Sequence, residues 1–244
     1  MKKQTIQSEI IIATSTPSDY ISGIAKKYGV EVFVTEYGKG VVQDNNFGLR
    51  QVKTKYATMT HQDDIYLPAY AETCVRAAEK FTDILICFTN YAEIIDGKDR
   101  PLTLMLKVKR CILSIFMPFK SHLSSKFWKL RLLSLGNPIA LPTIMFNLEN
   151  LPGFQFPVVL AHHVNTIDWQ AWCNMAKMKG RFYYARKVLL KRRIHAESLS
   201  TTGLENNSRH IEDLNMFRKF WPDFIAKFLA RVYASGYTSN AVKK

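Results

Sequence analysis

Short apolar runs and amphipathic stretches take turns along the first ninety residues, which predicts strands alternating with helices. Glu9-Ile10-Ile11-Ile12-Ala13 and Gly29-Val30-Glu31-Val32-Phe33-Val34 read as strands. Thr14-Ser15-Thr16-Pro17-Ser18-Asp19 is a turn that opens the helix between them. Residues 56–60 form a short strand ending in His61-Gln62-Asp63-Asp64, and Ile65-Tyr66-Leu67-Pro68 leads into a helix over residues 69–80. Residues 83–89 hold a continuous apolar run, the mark of a strand covered on both faces. A loop is expected over residues 91–100, with Asp96-Gly97 as its turn.

Beyond residue 100 the pattern becomes helical. Over residues 102–117, Thr103, Lys107, Arg110 and Ser114 recur at helical spacing as one polar stripe among apolar residues, and Pro118 stops the helix. Residues 121–135 repeat the theme, with Phe127, Trp128, Leu130, Leu132 and Leu133 among Lys126, Lys129 and Arg131. Gly136-Asn137-Pro138 ends it, and residues 139–146 are extended and apolar. A helix capped by Asn165 or Thr166 runs to about Met178, a strand covers residues 181–190, and one or two amphipathic helices cover residues 208–237 with a break at Trp221-Pro222. The alternation gives an α/β class: a mostly parallel mixed sheet, flanking helices and a basic amphipathic helical insert.

Composition bounds this picture. A chain of 244 residues suits one α/β domain, or a domain with a small appendage, and 47% apolar with 22% charged residues is globular. Four scattered cysteines form no metal motif and suggest reduced thiols in a cytosolic protein. Glu9 interrupts the basic start and only four apolar residues follow, so a signal peptide is not expected. No run reaches the ~20 apolar residues that span a bilayer.

The net charge of +14 points to an anionic partner. Residues 98–131 carry nine Lys or Arg and one acid, and residues 169–196 carry eight and none. No zinc finger, RNP-like run or basic leucine zipper is present, so no nucleic-acid partner is expected. For residues 102–135 two readings stand: helices lying in an anionic membrane interface, or helices packed on the core with snorkelling basic rims.

Three clusters carry candidate chemistry. Asp63-Asp64, at the tip of a strand and before a helix, can hold a hard divalent cation, or can serve as a cap and a solvated turn residue. Asp168 falls in the first turn of its helix, as a base or as a favourable dipole charge. Arg192-Arg193-Ile194-His195 follows a strand, as an anion site or as a solvated basic edge. His162-His163 has no ligand partner at metal spacing and reads as structural.

The order of Glu9-Ile10-Ile11, a glycine segment at Gly38-Lys39-Gly40, Asn46-Phe47-Gly48-Leu49 and the strand ending in Asp63-Asp64 resembles the bacterial inverting nucleotide-sugar glycosyltransferases of the GT-A fold, family 2. The resemblance spans about the first ninety residues and continues weakly to the C-terminus. It implies a nucleotide-sugar donor, Mn2+ or Mg2+ on Asp63 and Asp64, and Asp168 as catalytic base. It also implies donor or acceptor contacts from Thr14, Asn46, Arg193 and His195. The implied role is inverting transfer to a glycan or lipid-linked acceptor in cell-surface polysaccharide or lipopolysaccharide synthesis, cytoplasmic or peripheral on the inner membrane face. A non-catalytic remnant that binds membrane or an anionic partner is the alternative.

Three features depart from the family. Thr14 stands where it has a nucleobase-binding Asp, His61 stands for the first Asp of its acidic motif, and an initial strand and helix are missing. Met1-Lys2-Lys3-Gln4-Thr5 is expected to be the end of that helix, with the rest encoded upstream. The chain divides accordingly into a nucleotide-sugar half (1–90), the basic insert (91–135) and an acceptor-side half (136–244).

Overall fold

The computed structural model describes residues 1–36, 40–157, 165–194 and 208–236. Its N-terminal unit is β1 (Ile11–Thr14), α1 (Asp19–Tyr28), β2 (Glu31–Val34) and α2 (Val41–Gln51), with β1 and β2 parallel. α1 begins where Ser18 Oγ accepts from the Ile21 N–H at 3.3 Å, and it ends at Gly29, whose φ of 58° takes the left-handed cap.

The chain then lays down β3 (Tyr56–Thr58), β4 (Ile65–Tyr66), α3 (Tyr70–Glu79), β5 (Ile84–Ile95) and β6 (Lys98–Asp99). α4 (Leu104–Phe116), β7 (His122–Leu123), α5 (Lys126–Leu133) and, after a 3-10 turn at Leu141–Thr143, β8 (Ile144–Asn147) follow. α6 (Ile167–Ala176), β9 (Arg181–Arg193), α7 (Ser208–Arg218) and α8 (Asp223–Ser235) complete it.

The larger sheet runs β3-β8-β5-β9-β4, with β6 on β5 and β7 on β9. It is mixed. The long β5–β9 pairing is parallel, but the parallel share stops there and at β1–β2, and the other pairings are antiparallel. Both faces are covered. Ile84 and Cys87 of β5 join Tyr70, Cys74, Ala77 and Ala78 of α3 in one core, whereas Leu85 and Phe88 join the opposite core with α4, α5, α6 and the C-terminal helices. Trp169 and Trp172 lie fully buried there, and their indole N–H groups donate to the Leu133 and Ile139 carbonyls at 3.0 and 3.1 Å.

Four local expectations need correction. The loop at residues 91–100 is instead the continuation of β5 to Ile95 and a hairpin into β6, with Asp96 and Gly97 at positive φ. Buried Glu93 drives it, pairing Arg100 by backbone at 2.8 Å and by side chain at 3.6 Å. Residues 121–135 begin with β7, and only α5 is helical. Residues 1–5 form turns rather than a helix end, because Gln4 Oε1 accepts from the Ala71 N–H and Thr5 Oγ1 bonds Glu72 at the start of α3. Lys129, expected on a basic rim, is buried: its Nζ donates to the Met178 and Gly180 carbonyls at 2.8 Å each and lies over the Phe182 ring. That burial pushes its pKa down to about 8.

β1 pairs only with β2 among the described residues, and β3 only with β8. Ile11 of β1 and Tyr56, Ala57 and Thr58 of β3 line one cavity of about 380 Å³.

Candidate active site

The acidic cluster sits in the connection between β3 and β4. β4 pairs antiparallel with the far end of β9, Ile65 opposite Lys191 and Tyr66 opposite Leu190, which sets residues 61–64 beside Arg192 and Arg193. Tyr66 anchors the register by donating to the Pro142 carbonyl at 2.6 Å. Arg193 braces the loop, its backbone N–H to Asp64 Oδ1 and its Nε to the Asp63 carbonyl, both at 3.2 Å.

His61, Asp63 and Asp64 each present one ligand atom, and the three atoms lie within 4.8 Å of one another. Asp64 is the buried member. Its Oδ2 has no hydrogen-bond partner and lies 3.8 Å from His61 Nδ1. Burial foremost, with the charge of Asp63 added, pushes its carboxyl up to about 6, against the Arg193 N–H and the Arg192 and Arg193 charges. His61 is half exposed, and partial desolvation first and then the Arg192 charge hold it below its ordinary value, which favours a neutral nitrogen as a ligand. An orphaned buried carboxylate oxygen beside a second carboxylate and a neutral imidazole fits a hard divalent cation.

Asp168 stands in the first turn of α6. Thr166 is the N-cap of that helix, as expected, but its side chain makes no capping hydrogen bond, and Glu212 of α7 holds the capping segment instead. The Glu212 carboxylate accepts from the Asn165 and Thr166 N–H groups at 2.9 and 3.0 Å and from both side chains. Asp168 Oδ1 accepts from the Trp169 N–H at 2.7 Å and Oδ2 from Asn137 Nδ2 at 2.9 Å. Asn137 is held by a tight turn: Gly136 has φ of 133°, and a Cβ there would lie 2.7 Å from the Tyr233 ring, whose hydroxyl accepts from the Asn137 N–H. Burial raises the Asp168 pKa, opposed by the Trp169 N–H, Arg209, Lys109 and Asn137.

The two clusters share one electrostatic neighbourhood. Asp168 acts on His61, and Arg192 acts on His61, Asp64 and Lys109. Thus Arg193 meets Asp63 and Asp64 through hydrogen bonds, and Asp168 is linked to them only through its charge on His61. Thr14 stands at the end of β1, its hydroxyl accepting from the Thr16 N–H. Asn46 is buried in α2, and its amide pairs with the Phe156 backbone, accepting at 2.7 Å and donating at 3.0 Å. His195, like His162 and His163, lies outside the described residues.

Sequence reasoning missed Asn137, Lys109, Arg192 and Glu212. Lys109 was hidden within Lys107-Val108-Lys109-Arg110, where it faces inward to the Tyr91 ring at 5.8 Å. Arg192 was named only as part of a basic run, and nothing local marked Asn137 or Glu212.

Residues 2–141 match the family model described as glycosyl transferase family 2. The chain is 27% identical over 222 residues to an uncharacterized glycosyltransferase of Rickettsia prowazekii and 25% identical to one of Rickettsia typhi. Each alignment covers 90% of this chain but 63% of the relative. Among solved structures, the mannosyltransferase PcManGT from Pyrobaculum calidifontis, in complex with GDP-Man and Mn2+, superposes with a TM-score of 0.57 at 12% identity, over 99% of this chain and 70% of that one. The architecture is therefore GT-A-like: α/β, with a mixed sheet and flanking helices.

Proposed function

Because the chain belongs to glycosyl transferase family 2, we propose that it moves a sugar from a nucleotide-sugar donor, with inversion, to a glycan or lipid-linked acceptor. The setting is cell-surface polysaccharide or lipopolysaccharide assembly at the cytoplasmic face of the membrane. The observation that carries this reading is the His61–Asp63–Asp64 cluster, whose ligand atoms lie within 4.8 Å of one another and whose Asp64 Oδ2 is buried without a hydrogen bond; the charge of Asp168 reaches His61. The donor and metal named for PcManGT, GDP-Man and Mn2+, support a nucleotide-sugar donor and a divalent cation.

In this reading Asp63 and Asp64, with His61 in place of the family's first Asp, hold Mn2+ or Mg2+. The cation supplies positive charge against the diphosphate of the donor. Asp168 takes the proton of the acceptor hydroxyl as that oxygen bonds the anomeric carbon and the bond to the diphosphate breaks. Attack opposite the leaving group inverts the centre, so one base suffices. Burial makes Asp168 a stronger base than a solvated carboxylate, and Asn137 and the Trp169 N–H fix its two oxygens. Arg192 and Arg193 contribute positive charge beside the departing diphosphate. Thr14, at the end of β1, and His195 are assigned to the donor and diphosphate on the resemblance alone.

The test is turnover. With Mn2+ and a panel of nucleotide sugars, the chain should release nucleoside diphosphate, slowly to water and faster with acceptor. No release from any donor would leave a non-catalytic glycosyltransferase-like protein that binds membrane or an anionic partner.

A further inference from the structure

α4 and α5 bury one face and leave another uncovered. Met105, Leu106, Ile112 and Leu113 of α4 and Leu132 and Leu133 of α5 enter the core. Outward, Leu104, Val108 and Ile115 form one stripe along α4 at 57, 41 and 62% exposure, continued by Phe119 at 98%. On α5, Phe127 and Trp128 are half exposed, and Trp128 packs edge-on against Phe116, its ring 6.2 Å away, which joins the two helices into one apolar surface. Lys107, Lys120 and Lys126 are exposed around it, and the sequence has no acid between Asp99 and Glu149.

We propose that this surface seats in an anionic lipid bilayer. The proposal deepens the membrane part of the reading above by naming the face, and does not depend on catalysis. The charge pattern selects the occupant. A second copy of the chain meeting this face symmetrically would set the lysine rim against itself, under a net charge of +14. A bilayer with anionic headgroups accepts both parts: apolar side chains enter the headgroup–acyl boundary while the lysines meet lipid phosphates. Trp128, an aromatic with one polar edge, suits that depth. No helix of the described residues is long and apolar enough to cross a membrane, so the contact is peripheral at this face.

The experiment is co-sedimentation of the full chain with vesicles of phosphatidylcholine alone and with 30% phosphatidylglycerol (roughly, as in a moderately anionic membrane), in the absence of donor. Wild type should sediment with the anionic vesicles at low salt and be released as salt rises. Lys120→Glu with Lys126→Glu should weaken partitioning about fivefold for each charge removed, and more with reversal. Ile115→Asp with Phe119→Asp should abolish it, while circular dichroism and thermal melting stay those of wild type, since both side chains are exposed. Equal partitioning to both vesicle types would overturn the proposal, as would no sedimentation with either. A wild-type dimer dissolved by Ile115→Asp would show that a second copy covers the face. If transfer fails in solution but vesicle binding follows these variants, the enzymatic reading falls and this one stands.

Discussion

Around Asp168 the chain supplies a donor to each carboxylate oxygen, the Trp169 N–H and the Asn137 amide. Around Asp64 it supplies one, the Arg193 N–H on Oδ1, and leaves Oδ2 buried without a hydrogen bond. Burial raises both pKa values, so burial does not distinguish them. The neighbours do. A carboxylate with both oxygens directed is held in one orientation and needs no further ligand, which suits a base that must point at one hydroxyl. A buried oxygen with no donor carries a desolvation cost that a cation can offset. The same residue type therefore serves two purposes, set by what the fold places 31 residues away at Asn137 or 129 residues away at Arg193.

The largest expected effect comes from removing the directed charge. Asp168→Asn keeps the side-chain size and an oxygen for the Trp169 N–H but cannot take a proton. Donor binding should stay within a few-fold of wild type while transfer falls by about 10²–10⁴-fold, the usual worth of general base catalysis. Steady-state kinetics with a donor titration separates the two. Transfer at the wild-type rate would reduce Asp168 to a helix-start charge.

The undirected charge should behave in the opposite way, as a burden on the apoprotein. The Asp64 carboxyl is pushed up from 3.8 to about 6, so the folded chain binds that proton more tightly than the unfolded chain. Stability therefore falls as pH rises from about 4 to about 6, and the loss is fully present above about 6. Asp64→Asn removes this dependence. Without metal at pH 7.5 the variant should be more stable than wild type, on the order of 1–3 kcal/mol, which is several degrees in Tm for a chain of this size. Added Mn2+ should raise the wild-type Tm and leave the variant nearly unchanged. A variant that melts lower than wild type without metal, or gains as much from Mn2+, would show that Asp64 Oδ2 is not the atom awaiting a cation.

What the sequence made legible follows from the same contrast between local and distant causes. β5 announced itself by an unbroken apolar run, yet its last turn-side residues did not, because Asn90 and Glu93 look like loop residues until Tyr184 and Arg100 pair with them. Asp63 and Asp64 were visible as neighbours in the chain, and Asp168 by its place at a helix start. Asn137 and Glu212 were invisible because what they do is defined by partners 31 and 46 to 47 residues away. Lys129 misled for a related reason. A helical period puts it with Lys126 on a solvated side, but the carbonyls after α6, 49 and 51 residues on, draw it inside.

The smallest effect expected, and the one that most sharpens the contrast, is that of Asn137→Ala. The Asn137 amide donates to the charged form of Asp168 and so opposes the rise that burial causes. Without it the carboxyl should hold its proton to higher pH, and the acidic limb of the pH–rate profile should move upward. At the acidic end of the profile transfer should drop, and most of it should return as pH rises and the base is again ionised. Tyr233 and Gly136 hold the turn by contacts that do not use the Asn137 side chain, so the backbone should stay in place. Asn137→Gln, with the same amide on a longer stem, is expected to recover part of the shift. A loss equal at every pH would mean that Asn137 only shapes the turn, and that Asp168 is directed by its own helix.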